Sequence, residues 1–135
     1  MEIGKSSSGC SEGITLTIPL KLPGLNEYVR ACRANRYKGA GMKARVEGEI
    51  GLFVRALPEF DYPVRITFLW QEANKRRDFD NIAFAKKFIL DALVRERKLK
   101  DDNRRYVAGF EDQFQYGDDW RVILTIERSE NANSK

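Results

Sequence analysis

The chain has 135 residues, 42% hydrophobic and 33% charged, enough for one soluble domain with one core. Its net charge of +4 suits a polyanionic partner without demanding one. Histidine is absent, which removes every Ser-His-Asp or Cys-His scheme and every histidine metal site; a general acid or base must be Asp, Glu, Lys, Tyr, Cys or a metal-bound water.

Residues 1–13 are rich in Ser and Gly and lack periodicity, so they are expected to be a disordered tail. They hold no apolar stretch of the signal-peptide kind, and no run in the chain approaches membrane-spanning length. Cys10 and Cys32 are too few for a zinc site, and Cys10 lies in the tail. Free thiols in a reducing cytoplasm are the simplest expectation.

Ile14 to Leu20 alternates as a strand, with Pro19 pushing it toward an edge or an end. Lys21 to Gly41 reads as a long connection, with Arg30, Arg33, Arg36 and Lys38 interleaved with Tyr28 and Tyr37. That pattern suits a nucleic-acid strand, since cations meet phosphates and rings stack on bases. It equally suits a solvated loop whose tyrosines pack down on the sheet. Met42, Val46, Ile50, Phe53 and Leu57 mark one face of a helix stopped by Pro58. Val64 to Trp70 is a second strand. Asn81 to Arg95 is a second helix, apolar at Ile82, Ala85, Phe88, Ile89, Ala92 and Leu93. Glu96 to Arg105 is a charged turn. Tyr106 to Gln115 and Trp120 to Glu127 flank Tyr116-Gly117-Asp118-Asp119 and read as an antiparallel hairpin, with Trp120, Val122, Leu124 and Ile126 facing inward. A polar tail, 128–135, follows. The expected fold is α+β: one domain over 14–127, a small mixed sheet with two main helices packed on it.

The informative stretch is Lys75 to Asp102. Lys75, Arg76 and Arg77 precede Asp78-Phe79-Asp80-Asn81. In extended chain, residues two apart point to one side, about 6–7 Å apart, a spacing that lets two carboxylates lean on one hard cation or a pair of cations. The bland alternative is that Asp80 caps the helix beginning at Asn81 and that Arg76 and Arg77 pair with the aspartates on the surface. Along a continuous helix, Asp91 lies about 16 Å from Asp80, too far to share an ion, and is expected to pair with Lys87 or Arg95. Lys87 shares the Asp80 face and leans back toward it, whereas Lys86 is turned about 100° away. Of Asp101 and Asp102, one at most is expected to enter the cluster, because neighbours in extended chain face opposite ways.

Asp78-Phe79-Asp80-Asn81, a helix with Lys87 and Asp91-Ala92-Leu93, and then Asp101-Asp102 together resemble the RusA-like Holliday-junction resolvases of bacteria and their phages. A Pro-x-x-Asn element, here Pro23 to Asn26 with Tyr28, extends the likeness over roughly Ile14 to Glu127. The resemblance implies a Mg²⁺- or Mn²⁺-dependent endonuclease that acts as a homodimer, with no small-molecule cofactor and no membrane partner. It would cut four-way DNA junctions by paired symmetric nicks in recombination and repair. By motif, Asp78, Asp80 and Asp102 would hold the metal. The family's catalytic lysine lies four residues after its second aspartate and four before Asp-Ala-Leu. Here four after Asp80 is Phe84, and four before Asp91 is Lys87, so the helix carries about three extra residues and Lys86 is the alternative. Arg30, Arg33, Arg36, Lys75, Arg76 and Arg77 are the expected DNA contacts. A branched-DNA binder without catalysis, or another Mg²⁺-dependent nuclease with a different DNA substrate, would share these features.

Overall fold

Three strands alternate strictly enough to bury one face each, and they form the centre of the sheet. A computed structural model describes residues 3–5, 13–101 and 103–129, with side chains from Gly13 onward. The strands are β1 (Ile3–Lys5), β2 (Gly13–Ile18), β3 (Val64–Glu72), β4 (Val107–Tyr116) and β5 (Arg121–Arg128). Leu16 and Ile18 on β2, Val64, Ile66, Phe68 and Trp70 on β3, and Val122, Leu124 and Ile126 on β5 are all buried on one side. The helices α1 (Leu25–Ala34), α2 (Arg36–Val54), α3 (Phe79–Ala83) and α4 (Lys86–Arg95) complete the order. Val46, Ile50 and Val54 of α2 and Phe88, Ile89, Ala92 and Leu93 of α4 join the same core. The architecture is α+β, a mixed sheet with two main helices packed on it, as expected.

The sheet order is β1-β2-β5-β3-β4. The expected hairpin between the last two strands does not form. β5 lies between β2 and β3 and runs antiparallel to both; β4 lies on the far side of β3 and runs parallel to it. The short connection from Gly117 to Trp120 therefore crosses the end of β3. Two strand spacings are about 9.5 Å, which such a link spans without strain. Gly117 N–H donates to the Glu72 carbonyl at 3.0 Å, and Gln71 Nε2 donates to the Asp119 carbonyl at 3.1 Å. Polarity explains the choice of neighbour: β4 carries Glu111, Gln113 and Gln115 on one face and suits an edge, whereas β3 and β5 are the apolar strands that need partners on both sides. Trp120, expected inside, lies just before β5 and is half-buried, with Lys21 Nζ 4.5 Å above its ring.

The long connection expected over 21–41 is mostly helix. α1 occupies Leu25–Ala34, and α2 starts at Arg36, six residues before the helix expected from Met42. One residue, Asn35, ends α1 and caps α2, its side chain accepting from Lys38 N–H at 2.9 Å. α1 buries no residue fully, yet Leu25, Tyr28, Val29 and Cys32 recur at helical spacing along one face; the glycines and basic residues around that stripe are what read as a loop. Residues Ile3–Lys5, read as part of a tail, pair antiparallel with β2. The rest of 1–12, and 130–135 of the expected C-terminal tail, lie outside the described residues. No helix among the described residues is long and apolar enough to cross a membrane.

Candidate functional site

The chain leaves β3 at Glu72, turns through 73–77 and enters α3. Asp78, not Asp80, is the residue before the helix: its backbone is extended and its carbonyl accepts from Ile82 N–H at 3.0 Å. The expected extended Asp-x-Asp is thus replaced by a cap position followed by a first helical turn. Both aspartates are exposed. The Asp78 carboxylate makes no capping hydrogen bond, and Asp80 Oδ1 accepts from Asn81 N–H at 3.0 Å. Neither pairs with Arg76 or Arg77. Asn81 faces the Pro23–Asn26 element: its Oδ1 accepts from Asn26 N–H at 2.9 Å. A Cβ on Gly24 would stand 2.5 Å from that same oxygen, so only glycine allows the approach. The two sequence elements, 55 residues apart, are thereby clamped together.

The six basic residues expected to meet DNA fall into two groups. Arg30, Arg33, Arg36, Lys75 and Arg76 are exposed. Arg36 lies against the Tyr37 ring at 5.2 Å, and Lys75 Nζ stands 5.1 Å over Tyr116. Arg77 is different. Its Nε and Nη2 donate to the two Glu72 carboxylate oxygens at 2.9 and 2.6 Å, and its Nη1 donates to the Leu22 carbonyl at 3.0 Å. Glu27 adds a longer ionic contact at 3.6 Å. With its side chain 15% exposed, Arg77 ties the end of β3 to the β2–α1 connection and has no fork left for a phosphate.

The continuous helix expected over 81–95 is interrupted between α3 and α4. Ala85, Lys87 and Phe88 donate to the carbonyls of Ile82, Phe84 and Ala85, three residues back, at 3.0–3.2 Å. Such tightened turns rotate each side chain further than an α-helix does. The phase of the two lysines changes as a result. Lys86, expected about 100° off the Asp80 face, lines an open cleft of about 500 Å³ together with Asp80, Phe79, Phe84, Asp112 and Phe114. Lys87 is 61% exposed and stands 3.9 Å from Asp91. Asp91 also meets Lys43 Nζ of α2 at 3.0 Å, and that ammonium contacts the almost buried Glu47 as well. Glu47 and Asp91 hold the Lys43 ammonium above the ordinary lysine pKa, with Glu47 the larger influence. The Asp91–Lys87 pair expected from their spacing is therefore present, within a bridge between the two main helices.

Asp112 in the cleft escaped the sequence reading. Lys86 Nζ donates to its Oδ2 at 2.6 Å and Trp70 Nε1 to its Oδ1 at 3.0 Å. The Lys86 ammonium also lies 4.8 Å from the Phe110 ring and 5.7 Å from Phe68. The signal was available: in Phe110-x-Asp112-x-Phe114, alternation sets a carboxylate on an otherwise aromatic face. Asp101 is exposed and accepts from Asn103 Nδ2 at 3.1 Å. Asp102, the expected third metal ligand, lies outside the described residues. Among the described residues, no three His, Cys, Asp or Glu side chains gather closely enough to hold a metal. The exposed Cys32 is a free thiol. In comparisons with known proteins, no family model and no curated sequence matches the chain.

Proposed function

We propose that this protein is a metal-dependent endodeoxyribonuclease, and more narrowly one that resolves four-way DNA junctions as a homodimer. The observation that carries the reading is the Asp78-Phe79-Asp80-Asn81 turn, set directly after a basic segment, with Asp80 and Lys86 lining one cleft. The donor set fits a hard divalent cation. Asp78 and Asp80 are exposed oxygen ligands, and Mg²⁺ is commonly held by one or two carboxylates with water filling the remaining positions. By resemblance, Asp102 would be the third ligand. When bound, the ion would supply an activated water and offset charge on the phosphate oxygens.

The chain's own residues supply the remainder. Lys86, held in the cleft by Asp112, faces the space in which a phosphate would lie beside Asp80 and would stabilise negative charge there. Its place in the cleft makes it, rather than Lys87, the lysine of this reading. Arg30, Arg33, Arg36, Lys75 and Arg76 are free to contact phosphates, which gives affinity with steep salt dependence and little sequence choice. Preference for a junction then comes from shape, and two-fold symmetry supplies two sites for two opposed cuts. Cleavage of a four-way junction and a matched duplex, with Mg²⁺ and with excess chelator, tests the reading alongside light scattering for the dimer. Paired nicks on the junction that need Mg²⁺ are the expected result. Junction binding without cleavage would leave a branched-DNA binder, and equal cutting of plain duplex would leave a general nuclease.

A further inference from the structure

We infer that Phe79, together with Phe114 beneath it, is a stacking platform for an unpaired nucleobase in the cleft that Asp80 and Lys86 line. The inference rests on the nucleic-acid part of the function proposed above. Phe79 lies between Asp78 and Asp80 and is 56% exposed. Its ring is nonetheless held, stacked on Phe114 with centroids 4.1 Å apart and planes 12° from parallel. One face of the pair is covered by its neighbour, and Phe79 keeps surface open to the cleft it shares with Asp80 and Lys86. Leaving so much of a phenyl ring in water forgoes the stabilisation that burying it would supply.

The surroundings specify what covers it. β4 is the edge strand, and its helix-side row alternates Phe110, Asp112, Phe114 and Tyr116. Phe110 and Tyr116 are 44% and 45% exposed. Each carries a cation: Lys86 lies 4.8 Å from the Phe110 ring and Lys75 lies 5.1 Å from Tyr116. Rings flanked by ammonium groups match a strand that presents flat bases and anionic phosphates in alternation. An apolar protein partner would instead have to desolvate Lys75, Lys86 and Asp80, at a cost that rings alone do not offset. A base stacked on Phe79 would lie in the cleft that Asp80 and Lys86 line. A paired duplex cannot reach this platform without unstacking, whereas a branch point or a single strand can.

The test uses the full chain in excess chelator, so that nothing is cut. The probe is a short single-stranded oligonucleotide carrying 2-aminopurine, and the same analogue placed at the branch point of a four-way junction. Wild type is expected to change the analogue's emission on binding. Phe79→Ala should abolish that change and weaken oligonucleotide binding about tenfold. Phe79→Trp should retain both, and Leu52→Ala, an exposed apolar residue of α2, should behave as wild type. Thermal melting checks that the variants fold. Unchanged emission and affinity in Phe79→Ala would overturn the platform, as would a Phe79→Ala that alters only the oligomeric state. In a separate assay with Mg²⁺, a wild type that cuts junctions while Phe79→Ala does so equally well sinks this inference alone. A wild type that stacks the analogue but cuts no junction sinks the nuclease reading and leaves the platform standing.

Discussion

Replacing Arg77 by alanine should cost stability rather than DNA affinity. The guanidinium makes three hydrogen bonds, two to Glu72 and one to the Leu22 carbonyl. Glu72 is 4% exposed, so deleting its partner leaves a buried charge. Breaking a buried pair in this way costs about 3–5 kcal/mol. The Arg77 side chain is itself 15% exposed and water can reach its place, which puts the expected loss near the lower end, about 3 kcal/mol. That is roughly a 150-fold shift in the folding equilibrium and lowers the melting temperature by about 12 °C in a domain of this size. Arg77→Lys keeps the charge but loses the two-pronged geometry, and should fall between. Urea unfolding monitored by the tryptophans, with Arg76→Ala as the exposed neighbour, measures the difference. Arg76→Ala should stay within about 0.5 kcal/mol of wild type and reduce the salt dependence of DNA binding. If Arg77→Ala is as stable as Arg76→Ala, the clamp described here is not what holds the turn before Asp78.

Asp78→Asn and Asp80→Asn should each abolish cleavage while junction binding in chelator stays near wild type, since the amide keeps the shape and loses the charge; full activity in either would end the metal proposal. Lys86→Ala should lower the single-turnover rate about a hundredfold, whereas Lys87→Ala should be nearly silent; the reverse order would show that the helix break does not turn Lys86 to the chemistry. The Lys43 ammonium is held above its ordinary pKa of 10.5 by Glu47 and Asp91, so its stabilisation is full below that value and lost as pH rises through the raised one. The stability gap between wild type and Lys43→Met, read from urea melts on either side, should therefore shrink at alkaline pH. In α2, a Cβ on Gly39 would stand 2.4 Å from Cys32 Sγ, while one on Gly41 meets nothing within 4 Å. Gly41→Ala should thus stabilise by about 0.5–1 kcal/mol and Gly39→Ala should destabilise; equal effects in thermal melts would deny the close packing of α1 on α2.

Sequence by itself determined whatever depends on near neighbours. Alternation in Val64–Trp70 and in Val122–Ile126 fixed two strands and their buried faces, and the apolar spacing from Ile82 to Leu93 fixed which side of the second helical segment meets the sheet. The class of fold followed, as did the clustering of Asp78, Asp80 and the exposed cations in one short stretch. Tertiary structure decided the rest. A turn of four residues between two strands says hairpin locally, yet the central β3 takes a partner strand on each edge, and the connection crosses its end. α1 was legible in principle, since Leu25, Tyr28, Val29 and Cys32 recur at helical spacing, but it buries none of them completely and the basic residues between them suggest a loop. Arg77 read as one cation among three, because Glu72 and the Leu22 carbonyl reach it only once β3, the following turn and the β2–α1 connection are assembled. Lys86, and not Lys87, lines the cleft with Asp80 because the tightened turns between α3 and α4 alter the helical phase on which counting relies. Asp112 belongs to the cleft only because β4 lies parallel beside β3, which sets it level with Phe68 and within reach of Trp70 and Lys86. Local periodicity records which face a residue takes, and contacts between distant segments depend on strand order and helix phase, which no local pattern encodes.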